Sequence, residues 1–210
     1  TGGSYGALNT MWLSSICGDR IVGTTPLGAV GDLKETKEDP TKLIYWVLGK
    51  NRDEIPESFW TEKLRFFDPK YYLKSEKLPP IMWGLGTNDE FFYIKSATET
   101  YNVIKQEDNY LRLYPNGHHA LSNHEQSTKY FIDYIIKGGN APPEIEMLSH
   151  EIQDTLAGEQ LKIQARVDAS SEIRSVKLYY KHLDITGATW EEAGLKKNSQ
   201  GIWEGSIDPT

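Results

Sequence analysis

The chain has a single cysteine, Cys17, so no disulfide can form within it and a disulfide framework is excluded as a source of stability. Cysteine usage therefore does not separate a reducing compartment from an oxidising one. No apolar run approaches the ~20 residues that span a bilayer. Residues 1–10 lack the basic and apolar regions of a signal peptide. Lys and Arg neither cluster nor predominate, since 23 basic residues against 30 acidic ones leave a formal net charge of -7. Nucleic acid and anionic membranes reward clustered cations, so neither is expected as a partner. Internal repeats and low-complexity tracts are absent as well.

What is present describes a globular protein: 210 residues, 38% of them hydrophobic and 25% charged, long enough for one large domain or two modest ones. The aromatic supply is high, with six Trp, twelve Tyr and six Phe available for core and pocket.

Along the chain, TGGSYGALNT is a glycine-rich turn feeding a helix in which Leu8, Met11, Trp12 and Ser15 fall at helical spacing. Residues 20–30 read as a short buried strand and a loop. Residues 32–78 mix charged runs with aromatics and read as helical and irregular, in the manner of a cap. LPPIMWGLG at 78–86 is a continuous apolar run ending in glycine, which fits a fully buried parallel strand. A helix over 92–105, a strand over 110–114, a loop PNGHH and a helix over 122–136 follow. This alternation predicts an α/β domain with a parallel sheet flanked by helices.

KGGNAPP at 137–143 interrupts the pattern with two glycines and two prolines, the composition of a linker. Beyond it the period becomes two: Leu161, Ile163, Ala165 and Val167 alternate with polar residues, as do Val176, Leu178 and Tyr180. Trp190 and GIWEGSI add two more strands. The division expected is an α/β domain over 1–138, a linker over 139–143 and an all-β immunoglobulin-like or fibronectin-like sandwich over 144–210, with the last domain open to further strands.

Gly2-Gly3-Ser4-Tyr5-Gly6 fits G-x-S-x-G, a nucleophile elbow in which small residues let a serine sit on a sharp strand-to-helix turn. The backbone N–H of Tyr5 would be one oxyanion donor at the positive end of the helix. A glycine-rich turn before a helix is also common as plain structure or as a phosphate cradle. Two further segments follow in the order such a site demands. Gly86-Thr87-Asn88-Asp89 puts an Asp just past one strand, and Asn116-Gly117-His118-His119 puts histidines in the loop after the next. Taken singly, Asp89 reads as a helix N-cap and the His pair as surface loop. Together they read as a triad of Ser4 nucleophile, His119 base and Asp89 orienting acid, working through an acyl-enzyme.

GGSYGALNTMWL, PPIMWGLGTNDEFF and LYPNGHHAL resemble the α/β-hydrolase superfamily, and within it prolyl-oligopeptidase-like peptidases and acetyl-esterase-type serine hydrolases, over about residues 1–137. Ala7 replaces the second glycine of the GGSYGG those enzymes often carry. GTNDEFF also resembles the PhoPQ-activated pathogenicity-related proteins. The resemblance implies that His119, which precedes Ala120-Leu121, is the base rather than His118. It also places the elbow after strands that would precede Thr1, so residues 1–210 alone are expected to be inactive or nearly so.

Glu90 beside Asp89, with His118, His119 and His124 nearby, lacks the HExxH spacing of a metal site, and neighbouring carboxylates on a loop usually point apart, so no metal and no cofactor is expected. Trp46 and Trp60 could line a substrate pocket, although packing under a cap is the commoner use of such residues. The reading is a serine hydrolase acting on a small ester or peptide. Its alternative is an inert hydrolase-like protein that binds carbohydrate or protein at a cell surface through its β domain. The appended β domain points toward a secreted or cell-surface setting; the substrate, the compartment and the oligomeric state are left open.

Overall fold

The computed structural model describes residues 1–38, 55–155, 158–182 and 188–208. The chain divides into two compact units, Thr1–Gly139 and Asn140–Thr210.

In the first unit, strands β1 (Gly2–Gly3), β2 (Pro26–Leu27), β3 (Ile81–Gly86) and β4 (Asn109–Tyr114) form a parallel sheet in that order. β3 lies between β2 and β4, with Leu27 opposite Gly84 on one side and Ile81 to Gly86 opposite Asn109 to Tyr114 on the other. All six of its residues are buried, which explains why its sequence is a continuous apolar run rather than an alternating one. β2 is the short strand expected within 20–30, and Gly28 (φ 65) begins the loop that follows it.

Helix α1 (Tyr5–Ile16) has the expected period but a different face inward: Ala7, Thr10, Met11 and Ser14 are buried. The stripe is rotated by one residue because Thr10 and Ser14 can go inside once their hydroxyls donate to the carbonyls of Gly6 (2.8 Å) and Thr10 (2.7 Å). Leu13 and Ile16 remain exposed.

Helix α2 (Leu33–Glu38), a π-helical turn at Phe59–Lys63, a 3-10 turn at Leu64–Phe66 and helix α3 (Pro69–Tyr72) bear out the helical and irregular reading of 32–78 for the described part. The buried Asp68 carboxylate holds this region to the loop after β2, accepting the N–H groups of Asp32 (2.8 Å), Leu33 (2.8 Å) and Lys70 (2.9 Å). Helix α4 (Ile94–Tyr101) is shorter than 92–105, since the Asp89 side chain takes the N–H groups of Phe91 and Phe92 and keeps them in a turn. Helix α5 (His124–Lys137) runs from Asn123 (φ 65) to Gly138 (φ 65), whose left-handed backbone ends it. The core joins Ala7 and Met11 of α1 to Ile81, Trp83 and Leu85 of β3, with Leu73, Phe92 and Ala97.

The second unit is antiparallel: β5 (Glu144–Thr155), β6 (Gly158–Asp168), β7 (Val176–Tyr180), β8 (Glu191–Lys197) and β9 (Trp203–Ile207) pair in the order β5-β6-β9-β8-β7. Ile163, Ala165, Leu195, Trp203 and Ile207 are its buried residues. The alternating strands are found, but they hydrogen-bond into one sheet. Two facing sheets of an immunoglobulin-like or fibronectin-like sandwich are not seen among the described residues. Alternation reports that a strand is half-buried, not which sheet it joins. β5 was not expected at all, because most of it is exposed, including Ile145, Met147 and Ile152.

Candidate active site

Three loops leave the carboxyl ends of parallel strands, where open α/β sheets carry their sites. The first is the turn between β1 and α1. Ser4 sits there at φ 52 and ψ -121, a conformation few non-glycine residues adopt, and it places the side chain at the start of the helix. Its N–H donates to Leu27 (2.9 Å), which fixes the turn against β2. A Cβ on Gly2 would lie 2.3 Å from the Gly6 carbonyl, so the turn needs glycine there; a Cβ on Gly3 or Gly6 meets nothing within 4 Å.

The second loop, residues 87–92, and the third, 115–123, are clasped together. Thr87 donates its N–H to Tyr114 (3.0 Å) and accepts the N–H of Asn116 on its hydroxyl (2.8 Å), while the Asn88 N–H donates to Gly117 (2.9 Å). The closeness depends on Gly86, where a Cβ would lie 2.2 Å from the Gly117 carbonyl oxygen. The Asp89 carboxylate is fully buried. Its Oδ1 accepts the N–H groups of Phe91 (2.8 Å) and Phe92 (2.9 Å), leaving Oδ2 for the His119 ring.

Ser4, Asp89 and His119 are brought together as a chain of hydrogen bonds. His119 Nδ1 donates to Asp89 Oδ2 at 2.9 Å, and the Ser4 hydroxyl donates to His119 Nε2 at 2.8 Å. The roles follow from chemistry: an ionised carboxylate only accepts, so Nδ1 carries the proton and Nε2 is left as the acceptor. The Phe91 ring lies against the imidazole at 4.4 Å between centroids, with Phe92 at 5.9 Å.

His118 points elsewhere. Its Nδ1 donates to Glu90 Oε1 at 2.5 Å, while Glu90 Oε2 accepts the backbone N–H of His119 at 2.9 Å. Asp89 and Glu90 thus both reach the His pair but at different atoms, Asp89 at the His119 ring and Glu90 at the His118 ring and the His119 backbone. Desolvation acts to raise the Glu90 pKa, but the N–H groups of His119 and Glu90 itself and the His118 ring outweigh it and hold the carboxyl below its ordinary range.

A cavity of about 630 Å³ opens on Ser4 and His119, walled by Leu27, Ala120, Leu121 and His124. His124 Nδ1 donates to the Leu121 carbonyl (2.8 Å), so the helix start is tied to the cavity wall. Tyr5 begins α1 beside Ser4 with its ring exposed. Trp60 does not line this cavity; it is buried, edge-on to Phe59 at 5.3 Å. Trp46 lies outside the described residues. Sequence reasoning also passed over Gly28, which at φ 65 lies against His119: a Cβ there would be 3.2 Å from its carbonyl oxygen and 3.5 Å from Cε1.

The Ser4 turn follows β1, the Asp89 loop follows β3 and the His119 loop follows β4, each at the carboxyl end of its parallel strand. Solved structures with a similar course include acetyl xylan esterase 1 from Thermoanaerobacterium sp., at 18% identity and a TM-score of 0.49, covering 63% of this chain and 44% of that one. Est1E from Butyrivibrio proteoclasticus with ferulic acid bound matches at 17% identity and a TM-score of 0.44, over 65% of this chain and 57% of that one. A monoacylglycerol lipase from Paleococcus ferrophilus matches at 14% identity and a TM-score of 0.42, over 66% of this chain and 67% of that one. The chain thus spans less than half the length of the xylan esterase. No curated protein sequence matches it. The family model of the PhoPQ-activated pathogenicity-related proteins matches residues 52–186, a stretch that includes GTNDEFF and both histidines of the pair and more than half of the chain, and the chain belongs to that family.

Proposed function

We propose that the protein is a serine hydrolase of the esterase type, with Ser4 as nucleophile, His119 as general base and acid, and Asp89 as the group that fixes the imidazole. The observation that carries this reading is the pair of bonds from Ser4 through His119 to the fully buried Asp89, at 2.8 and 2.9 Å. As Ser4 Oγ attacks the ester carbonyl, its proton passes to His119 Nε2, and Asp89 stabilises the resulting cation through Nδ1. The carbonyl oxygen becomes an oxyanion near the N–H of Tyr5 at the helix start. Collapse of the intermediate breaks the bond to the alcohol, which leaves with the proton from His119. Water, deprotonated by the same imidazole, then attacks the acyl carbon, and the bond to Ser4 Oγ breaks as His119 returns that proton to it and the acid leaves.

Among the described residues, the wall of the cavity beside Ser4 has no Lys, Arg, Asp or Glu and is partly formed by Leu27, Ala120 and Leu121, which suits a small uncharged acyl group. Esters are preferred to amides in this reading, because an alkoxide leaves more readily than an amide nitrogen. The test is hydrolysis of p-nitrophenyl acetate and of the matching p-nitroanilide by the complete protein and by its Ser4→Ala variant. Ester turnover that vanishes with Ser4 is expected, with the anilide slower. Turnover that survives Ser4→Ala, or none in the unmodified protein, contradicts the reading; the second result favours the inert binding protein.

A further inference from the structure

We propose that Glu90 is a positioning residue, which fixes the catalytic base by holding the main chain of His119 while Asp89 holds its ring; this rests on the proposed role of His119. An imidazole that must meet Ser4 on one nitrogen and Asp89 on the other has to be correctly placed at both its ring and its backbone. Asp89 Oδ2 can orient the ring about its bonds to the backbone, but it cannot keep the Cα of His119 from sliding along the loop. Glu90 Oε2 supplies that restraint by accepting the His119 N–H at 2.9 Å. The other oxygen, Oε1, accepts from His118 Nδ1 at 2.5 Å. His118 is thereby the partner that steadies the Glu90 carboxylate from the solvent side, where its side chain is 66% exposed.

The arrangement also gives each of two neighbouring acids and two neighbouring histidines a separate task. Asp89 is buried and addresses the ring that faces Ser4; Glu90 is half-exposed and addresses the peptide that carries it. Tethers on either side complete the hold: Asn88 N–H to the Gly117 carbonyl before the pair, and the Phe91 ring against the imidazole after the acids. Glu90 touches no reacting atom, so it acts through His119 alone.

The test is steady-state kinetics on p-nitrophenyl acetate with the complete protein and its Ser4→Ala, Glu90→Ala, Glu90→Gln and His118→Ala variants, each checked for folding by thermal melt. A misplacement of the base by a fraction of an ångström to an ångström costs about 10–100-fold, so Glu90→Ala should lose that much in kcat while KM changes by less than about threefold. Glu90→Gln should recover to within about fivefold of the unmodified protein, because its amide oxygen still accepts the His119 N–H. His118→Ala, which removes only the partner of the Glu90 carboxylate, should lose less than about tenfold in kcat. Should Glu90→Ala fail to fold, Glu90→Leu, which keeps bulk at the site but cannot accept the His119 N–H, takes its place, and the same loss in kcat is expected of it. The inference is overturned if Glu90→Ala keeps kcat within twofold, if Glu90→Gln is folded and as impaired as Glu90→Ala, or if the loss falls on KM. Absence of Ser4-dependent turnover in the unmodified protein overturns the catalytic reading itself; Ser4-dependent turnover indifferent to Glu90 overturns only the positioning role.

Discussion

The two units of this chain use their residues in opposite ways. Among the described residues of Thr1–Gly139, two of the four strands are only two residues long, and the loops beyond them are clasped by hydrogen bonds. Thr87, Asn88, Asp89, Glu90 and Phe91 each have a partner in, or packed on, the segment 114–119. In Asn140–Thr210 the regular ladder dominates: β5 pairs with β6 from Glu144 opposite Asp168 to Thr155 opposite Gly158, broken only by a bulge near Met147. Polar pairs there, such as Arg166 with Glu146 and Lys177 with Glu192, lie on exposed faces, where ion pairs contribute little. The difference separates a unit whose loops are clasped to one another from one in which the strand ladder carries most of the hydrogen bonding.

The largest effect that could sharpen this contrast is in the His pair. Turnover by the complete protein should fall by about 10⁴-fold or more in His119→Ala, whereas His118→Ala should stay within about tenfold. A dead His118→Ala beside an active His119→Ala would reverse the assignment. Next comes the clasp itself. Gly86→Ala sets a Cβ against the Gly117 carbonyl oxygen, 2.2 Å away, so the acid and histidine loops must part. Loss of about 100-fold in ester turnover is expected from that displacement. Activity near that of the unmodified protein would mean that the two loops do not need to touch.

In the second unit the effect should fall on stability alone. Trp203→Ala removes the largest buried side chain of the five-stranded sheet and should cost about 3–5 kcal/mol in the unfolding of that unit, measured by denaturant titration. Ester turnover below the transition should be unchanged, and a proportional loss of both would make the units one cooperative body. Limited proteolysis checks the same division: the first cut is expected within 137–143, where Gly138, Gly139, Pro142 and Pro143 interrupt both periods.

The smallest effect is in pH. The Glu90 carboxyl titrates below its ordinary value of 4.5, so its contribution to stability is complete above that value and is lost as pH falls through the lower folded-state value. The difference in melting temperature between the unmodified protein and Glu90→Ala should therefore be larger at pH 7 than at pH 3.5. An equal difference at both would show that the ionised carboxylate contributes nothing to the fold.

The elements of the first unit were legible where one residue pattern has one physical meaning. The apolar run 78–86 ending in glycine reads as a buried strand, and β3, which takes its last six residues, is buried throughout. Ser4, Asp89 and His119 could be named because chain order and loop position restrict where such groups stand, and the three side chains do meet. Glu90 was weighed only as a metal ligand, and its bond to the His119 backbone was not legible, because that contact depends on how the loops 87–92 and 115–123 meet in space. The role of Gly28 was illegible for another reason: its neighbour across space is His119, far away in sequence. In the second unit, alternation located β6 and β7, and Trp190 and GIWEGSI pointed to β8 and β9, but nothing pointed to β5, where Ile145, Met147 and Ile152 are exposed.

The most direct test of the central claim is labelling of the complete protein with a fluorophosphonate, followed by peptide mass analysis. One adduct on Ser4, abolished in Ser4→Ala and strongly slowed in His119→Ala, is the predicted result. A folded protein that takes no label, or takes it at a residue other than Ser4, would contradict the account.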